Sequence, residues 1–219
     1  FWTLKVRAAV LQSRRIVTVS DHASRSLHVM LRVPVERIRV VPNAPADVFR
    51  RSTDAAAIAD AYRGIGVEPG SPAVVYVGGL APHKNLTRVI DAFAQACATV
   101  ASSTARLVLV GHHDTDVFHS DGARLRAHAA QVAPGRVVFA GAMDDARLAL
   151  VLSGARGLVL ASIDEGFGLP VLEAMQCGAP VIASPAVAGG EVVDLGGAMR
   201  AVERLAGVGE DEVRGVVDL

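Results

Sequence analysis

The sequence predicts an α/β protein built on a doubly wound parallel sheet, and three observations carry that prediction. Short runs rich in β-branched residues recur along the chain, most of them apolar on both faces, as strands covered by helices on each side must be. Segments with apolar residues at three- and four-residue spacing separate these runs, so strand and helix alternate and right-handed βαβ units follow. Loops containing glycine come directly after several strands, at the sheet edge where ligands of such folds gather.

The chain opens with "TLKVRAAVLQSRR", helical in period, then the strand "RIVTVS" (15 to 20) and the helix "DHASRSLHVML". This piece is too small to close a sheet alone, and "VPVERIRVVPNAPADVF" crosses to the longer remainder of the chain through the strand "RIRVVPN" (37 to 43) and prolines 34, 42 and 45. Residues 1–40 therefore read as the tail of another domain and residues 41–219 as the main one. Without an initiator Met, Phe1 reads as a cut edge. The main domain offers strands "AVVYVGG" (73 to 79), "RLVLVG" (106 to 111), "RVVFAG" (136 to 141), "GLVLAS" (157 to 162) and "PVIAS" (180 to 184). Helices are expected from Asn85, Gly122, Asp145 and Pro170.

Of 219 residues, 51% are hydrophobic and 20% charged, the balance of an ordinary soluble globular protein. Lys plus Arg and Asp plus Glu number 22 each, so no global field points to nucleic acid and any anion site must be local. Cys97 and Cys177 lie in apolar, helix-like sequence as packed thiols, which fits a reducing, cytoplasmic compartment. No apolar run is long enough for a membrane span, and Phe1-Trp2 does not begin a signal peptide.

Three loops after strands hold the candidate chemistry: "GGLAPHKN", "GHHDTD" and "SIDEGFGLP". Lys84 precedes the helix expected from Asn85, where a cation is unfavourable by about 0.3–1 kcal/mol unless an anion intervenes. Gly78 and Gly79 would let backbone approach a phosphate, and Asn85 can cap the helix; a solvated lysine in an ordinary turn accounts equally well for this loop. In the third loop Pro170 suits a first helical turn, leaving the N–H groups of Phe167, Gly168 and Leu169 as donors for an anion. Glu173 is expected in the first helical turn, where the dipole favours a carboxylate, or as an acceptor for paired sugar hydroxyls. Glu165, an acid beside an anion pocket, points to a positioned role such as orienting a hydroxyl or stabilising positive charge at a sugar carbon. "HHDTD" (112 to 116) contains a D-x-D but no zinc spacing, and no metal is expected. His22 and His119 have no local partner, and His28 reads as a helix-surface residue.

"YVGGLAPHKNL", followed about 80 residues later by "EGFGLPVLEAMQCGAPVIAS", resembles the nucleotide-sugar-binding half of the retaining glycosyltransferases of family four, which have the two-domain GT-B fold. Glu165 and Glu173 stand as that family's E-x7-E pair. "IVTVSDHASRSL" and "ERIRVVPNAPADVF" are similar to its end of the acceptor domain and crossover, and the likeness spans about residues 10 to 193. The resemblance implies a Rossmann-like donor domain, with residues 1–40 a remnant of the acceptor side and 41–219 shortened at its C-terminal end. It implies that Lys84, with Gly78 and Gly79 in its loop, binds the donor diphosphate, assisted by backbone at Phe167, Gly168 and Leu169. Glu173 would hold the ribose, and Glu165 would contact the transferred sugar.

Leaving-group stabilisation would be the main catalytic term, with Lys84 and Glu165 as the catalytic residues and no metal or other cofactor besides the nucleoside-diphosphate sugar itself. The implied activity is transfer of a hexosyl group, mannosyl included, to a saccharide, lipid or small-molecule acceptor in cell-envelope polysaccharide synthesis. The implied place is the cytoplasm or the inner face of its membrane. The chain departs from the family in having Gly79 where Arg is frequent, Asn43-Ala44 for Asn-Gly, and Gly190 for Pro before Glu191. With the acceptor domain absent, the fragment is expected to bind a nucleotide sugar and not to transfer it. Two other readings stand beside this one: a nucleotide-sugar epimerase of the same fold, and a non-catalytic nucleotide-sugar-binding module.

Overall fold

The computed structural model describes residues 2–99, 104–112 and 121–184. The elements run α1 (Trp2–Gln12), β1 (Ile16–Thr18), α2 (Asp21–Leu31), a 3-10 turn (Val35–Arg37), β2 (Ile38–Val40), α3 (Ala55–Arg63), β3 (Ala73–Val77), a second 3-10 turn (Pro82–Lys84) and α4 (Leu86–Thr99). They continue with β4 (Arg106–Val110), α5 (Gly122–Val132), β5 (Val137–Gly141), α6 (Asp145–Gly154), β6 (Gly157–Leu160), α7 (Leu169–Gln176) and β7 (Val181–Ala183). Every strand expected from the sequence forms, each trimmed at its polar or glycine end.

Strands β3 to β7 make one fully parallel sheet in the order β5-β4-β3-β6-β7. The chain moves outward from β3 through β4 to β5, then crosses back to β6 beside β3 and moves outward the other way. Right-handed crossovers therefore put α4 and α5 on one face and α6 and α7 on the other. Packing agrees: α4 lies on α5, and α6 touches both α3 and α7. The doubly wound expectation holds, and the reversal of strand order falls between β3 and β6. At such a switch point the loops leaving the two strands diverge and open a crevice beyond their carboxyl ends.

The centre of the sheet is sealed from water. Leu107, Val108, Leu109 and Val110 of β4 are all buried, as are Ala73, Val75 and Tyr76 of β3. Leu86, Val89, Ile90 and Phe93 of α4 and Leu148, Val151 and Leu152 of α6 complete this core. β1 and β2 pair separately as a two-stranded parallel sheet. Around it Leu4, Leu11, Val17, Val29, Met30 and Val35 are exposed.

The reading of the sequence lacked α3. Its signals are an N-cap, propensity and a short apolar stripe: the Asp54 carboxylate accepts from the N–H of Ala56 and Ala57, each at 3.0 Å, an alanine-rich run follows, and Ile58, Ala61 and Tyr62 turn to the core. Tyr62 then anchors the helix, donating its hydroxyl to Val151 O of α6 at 3.1 Å.

Candidate active site at the strand-order reversal

β3 ends at Val77 and the chain turns at Gly78, whose φ of 149° falls where side chains are strained. A Cβ there would also meet the Tyr76 hydroxyl at 2.7 Å, so Gly78 is required by the turn itself. Tyr76 donates that hydroxyl to Gly79 O at 2.7 Å. Burial, and then the negative charge of Glu165, push the phenol well above its usual range, so it remains a donor. Gly79 has open space around it.

The 3-10 turn Pro82–Lys84 comes next and delivers Lys84 to the crevice. Asn85 adopts the left-handed conformation (φ 58°) and its carbonyl accepts from Val89 N; among the described residues its side chain caps nothing, contrary to expectation. From the other side of the crevice, the loop after β6 is tied to this turn by Ile163 N donating to His83 O at 2.8 Å. That tie brings Lys84 and Glu165, 81 positions apart, into direct contact: Lys84 Nζ to Glu165 Oε2 is 2.5 Å. Ser162 Oγ donates to the same oxygen at 3.2 Å. The side chains are 17% and 20% exposed, so screening is reduced but not removed. The anion that Lys84 called for at its helix start is therefore the protein's own carboxylate.

The Glu165 loop is clamped by a second element. Ser20, 1% exposed, caps α2 by accepting from Ala23 N and donates its hydroxyl to Gly166 O at 2.5 Å. His22 Nε2 lies 3.0 Å from Asp164 Oδ1. Both neighbours of Glu165 are thus held by the start of α2. His22, without a partner nearby in sequence, finds one 142 positions away.

Beyond the clamp, Gly168 takes a left-handed conformation (φ 85°) and α7 begins at Leu169, with Pro170 its second residue. No described residue accepts from the N–H groups of Phe167, Gly168 or Leu169, so three donors stand at a positive helix end. Glu173 is the fifth residue of α7, not in its first turn, so the dipole does not account for it. It is 9% exposed, and no described residue hydrogen-bonds its carboxylate. Burial, and then the charge of Asp145, raise its pKa above the ordinary value of 4.5. A buried acceptor without a donor is costly to keep and needs a reason.

That cost has a testable sign. A carboxyl whose folded pKa is raised loses stability as pH climbs from the unfolded value through the folded one, because the unfolded chain releases its proton first. Glu173→Gln should therefore melt higher than the parent at pH 7, with the difference closing as pH falls below about 4.5. Equal melting temperatures at pH 7 would mean that the carboxylate is satisfied in the ligand-free protein.

Lys84, Glu165, Gly78 and Gly79 thus share one crevice mouth with the α7 start. Sequence reading missed Ser162, Tyr76, Ser20 and Asp164; of these only Ser162, a polar residue three positions before Glu165, carried a local signal. "HHDTD" lies outside the described residues from His113 onward, as do His119 and everything after Ser184. Among the described residues no group of three or more His, Cys, Asp or Glu is arranged to hold a metal ion.

Comparison with known proteins agrees with this architecture. The family model described as "Glycosyl transferases group 1" matches residues 71–208. D-inositol 3-phosphate glycosyltransferase from Acidothermus cellulolyticus is 33% identical over 178 residues, which cover 80% of this chain and 39% of that protein. Among solved structures, sucrose-phosphate synthase from Thermosynechococcus elongatus superposes with a TM-score of 0.67 at 26% identity, over 96% of this chain and 56% of that one. HepE from Anabaena in complex with UDP-glucose superposes at 0.74 with 18% identity, over 100% of this chain and 67% of that one, and so speaks for the fold. The chain spans about two fifths of its curated relative's length. The five-stranded parallel sheet and its crevice are the C-terminal, Rossmann-like half of a GT-B fold. With its family model matched over more than half of the chain, this protein belongs to the group 1 glycosyltransferases.

Proposed function

We propose that the crevice binds a nucleoside-diphosphate sugar and that the protein serves hexosyl transfer, mannosyl included, with retention at the anomeric carbon. The observation that carries this reading is the convergence of Lys84 with three N–H donors at the start of α7 that no described residue claims, on the carboxyl side of the strand-order reversal. Lys84 and the α7 start hold the diphosphate and stabilise the charge that develops on it as the sugar departs. Glu165 faces the transferred sugar, and the carboxylate of Glu173, which no described residue hydrogen-bonds, receives the ribose hydroxyls. HepE, of the same fold, was solved with UDP-glucose, which supports a nucleotide sugar as the ligand class. The reaction needs no metal or other cofactor, since these groups supply the charge stabilisation. The alternative of a non-catalytic binding module uses the same crevice without transfer.

We place residues 1–40 with the acceptor-side domain and residues 41–219 with the donor domain. The separate β1–β2 sheet and the exposed apolar residues around it support that division. The acceptor, whether saccharide, lipid or small molecule, meets that other domain, so residues 1–219 bind donor without transferring it. No helix among the described residues is long and apolar enough to cross a membrane. The enzyme works in the cytoplasm, where the acceptor side can meet the inner membrane face.

Calorimetric titration of residues 1–219 with uridine, guanosine and adenosine diphosphates and their hexose conjugates tests the reading. Saturable binding of at least one conjugate, lost in Glu173→Ala, is expected. Absence of binding across the panel would reject the donor site, and robust sugar transfer by this chain would reject the division of labour.

A further inference from the structure

Lys84 does not wait with an open charge. Its ammonium is held 2.5 Å from Glu165 Oε2, the same oxygen that accepts from Ser162. Nor can the loop easily carry Glu165 away: Ile163 N is bonded to His83 O, Asp164 to His22 and Gly166 O to Ser20. A diphosphate that takes Lys84 therefore arrives with the carboxylate still beside it. It meets like-charge repulsion and strips a partly buried carboxylate of its cation, leaving the Ser162 hydroxyl as the carboxylate's partner.

We propose that Glu165 sets ligand preference at this site by occupying the diphosphate's place on Lys84, disfavouring a bare diphosphate and favouring one whose attached sugar offers hydroxyl donors to the displaced carboxylate. A sugar O–H donating to Glu165 replaces what the ammonium supplied, with a charge-assisted hydrogen bond in a partly desolvated site. Pyrophosphate or a nucleoside diphosphate brings no such donor. The pair thus discriminates intact donor from spent nucleotide. Once the sugar has left, Glu165 regains Lys84 and the leaving diphosphate loses its cation.

This inference rests on the reading that Lys84 binds the diphosphate, and the two can fail separately. The wild-type chain, Glu165→Gln and Lys84→Ala are titrated by calorimetry with inorganic pyrophosphate, then with UDP and UDP-glucose and with GDP and GDP-mannose. Glu165→Gln, close to isosteric, should tighten pyrophosphate by up to about fivefold, the strength of a partly exposed ion pair. It should also shrink the preference of sugar conjugate over free diphosphate, while Lys84→Ala weakens every diphosphate. If Lys84→Ala weakens pyrophosphate but Glu165→Gln leaves it unchanged or weaker, the competition is overturned and the diphosphate reading survives. If Lys84→Ala binds pyrophosphate as the parent does, the diphosphate reading fails and the competition with it. Should Glu165→Gln fold poorly by circular dichroism, Glu165→Ala removes the same charge and is judged by the same outcomes.

Discussion

Lys84→Ala should weaken nucleoside diphosphate binding by about 10- to 150-fold while leaving the matching free nucleoside unchanged. The range corresponds to the roughly 1.5–3 kcal/mol of a hydrogen bond to a charged group. Only the diphosphate meets the ammonium, so the nucleoside serves as an internal control. The loss should lie toward the lower end, because in the parent the diphosphate must first take Lys84 from Glu165, a cost the variant no longer carries. Calorimetry with both ligands decides it. Equal losses for diphosphate and nucleoside would mean that Lys84 holds the loop rather than the ligand, through the ion pair that ties the β3 and β6 loops together.

Gly111→Ala should cost about 3 kcal/mol or more, lowering the melting temperature by roughly 6–12 °C for a chain of this size. Gly111 follows β4 with a φ of 146°, a region that strains any side chain. A Cβ there would stand 2.0 Å from the carbonyl oxygen of Gly78 and 2.8 Å from its carbon. Neither backbone can yield cheaply: Gly78 N is bonded to Val110 O and Gly111 N to Gly141 O, both at 2.9 Å. The clash therefore lands on the turn that leads to Lys84, and nucleotide affinity should fall with stability. Thermal melting and a diphosphate titration on the same sample check both effects; a variant as stable as the parent would show that the Gly78 turn can shift freely.

How far the sequence could be read depends on the range of each interaction. Strands announce themselves through runs of valine, isoleucine and leucine that no water-facing segment would carry, so the parallel sheet of β3 to β7 was legible. So was the placing of Lys84 and Glu165 on loops that leave strands, because strand, loop and helix succeed one another locally. Helix α3 is the exception: Ile58, Ala61 and Tyr62 stand at three- and four-residue spacing and turn to the core, but the surrounding alanines carry little hydrophobic contrast to make that stripe stand out. Starting α7 at Leu169 rather than Pro170 moves Glu173 a single position, past the first turn, and that changes the physics from a dipole-favoured carboxylate to a buried one without a donor among the described residues. The Lys84–Glu165 contact and the Ser20 and His22 clamp join residues 81 to 146 positions apart. No local pattern encodes such a meeting; it exists only once the sheet has brought the loops together.

The hydroxyl of Ser20 gives the fold and the function different borders. By strand pairing, the β3–β7 sheet is complete without anything before residue 41. By hydrogen bonding, the loop that carries Glu165 has its anchor at residues 20 and 22. A trimmed domain cut where the sheet begins would keep its core and lose the brace on one of the two residues facing each other across the crevice. The smallest unit that holds Lys84 and Glu165 in this geometry reaches back to the cap of α2, so residues before 41 brace a crevice that the β3–β7 sheet alone would open.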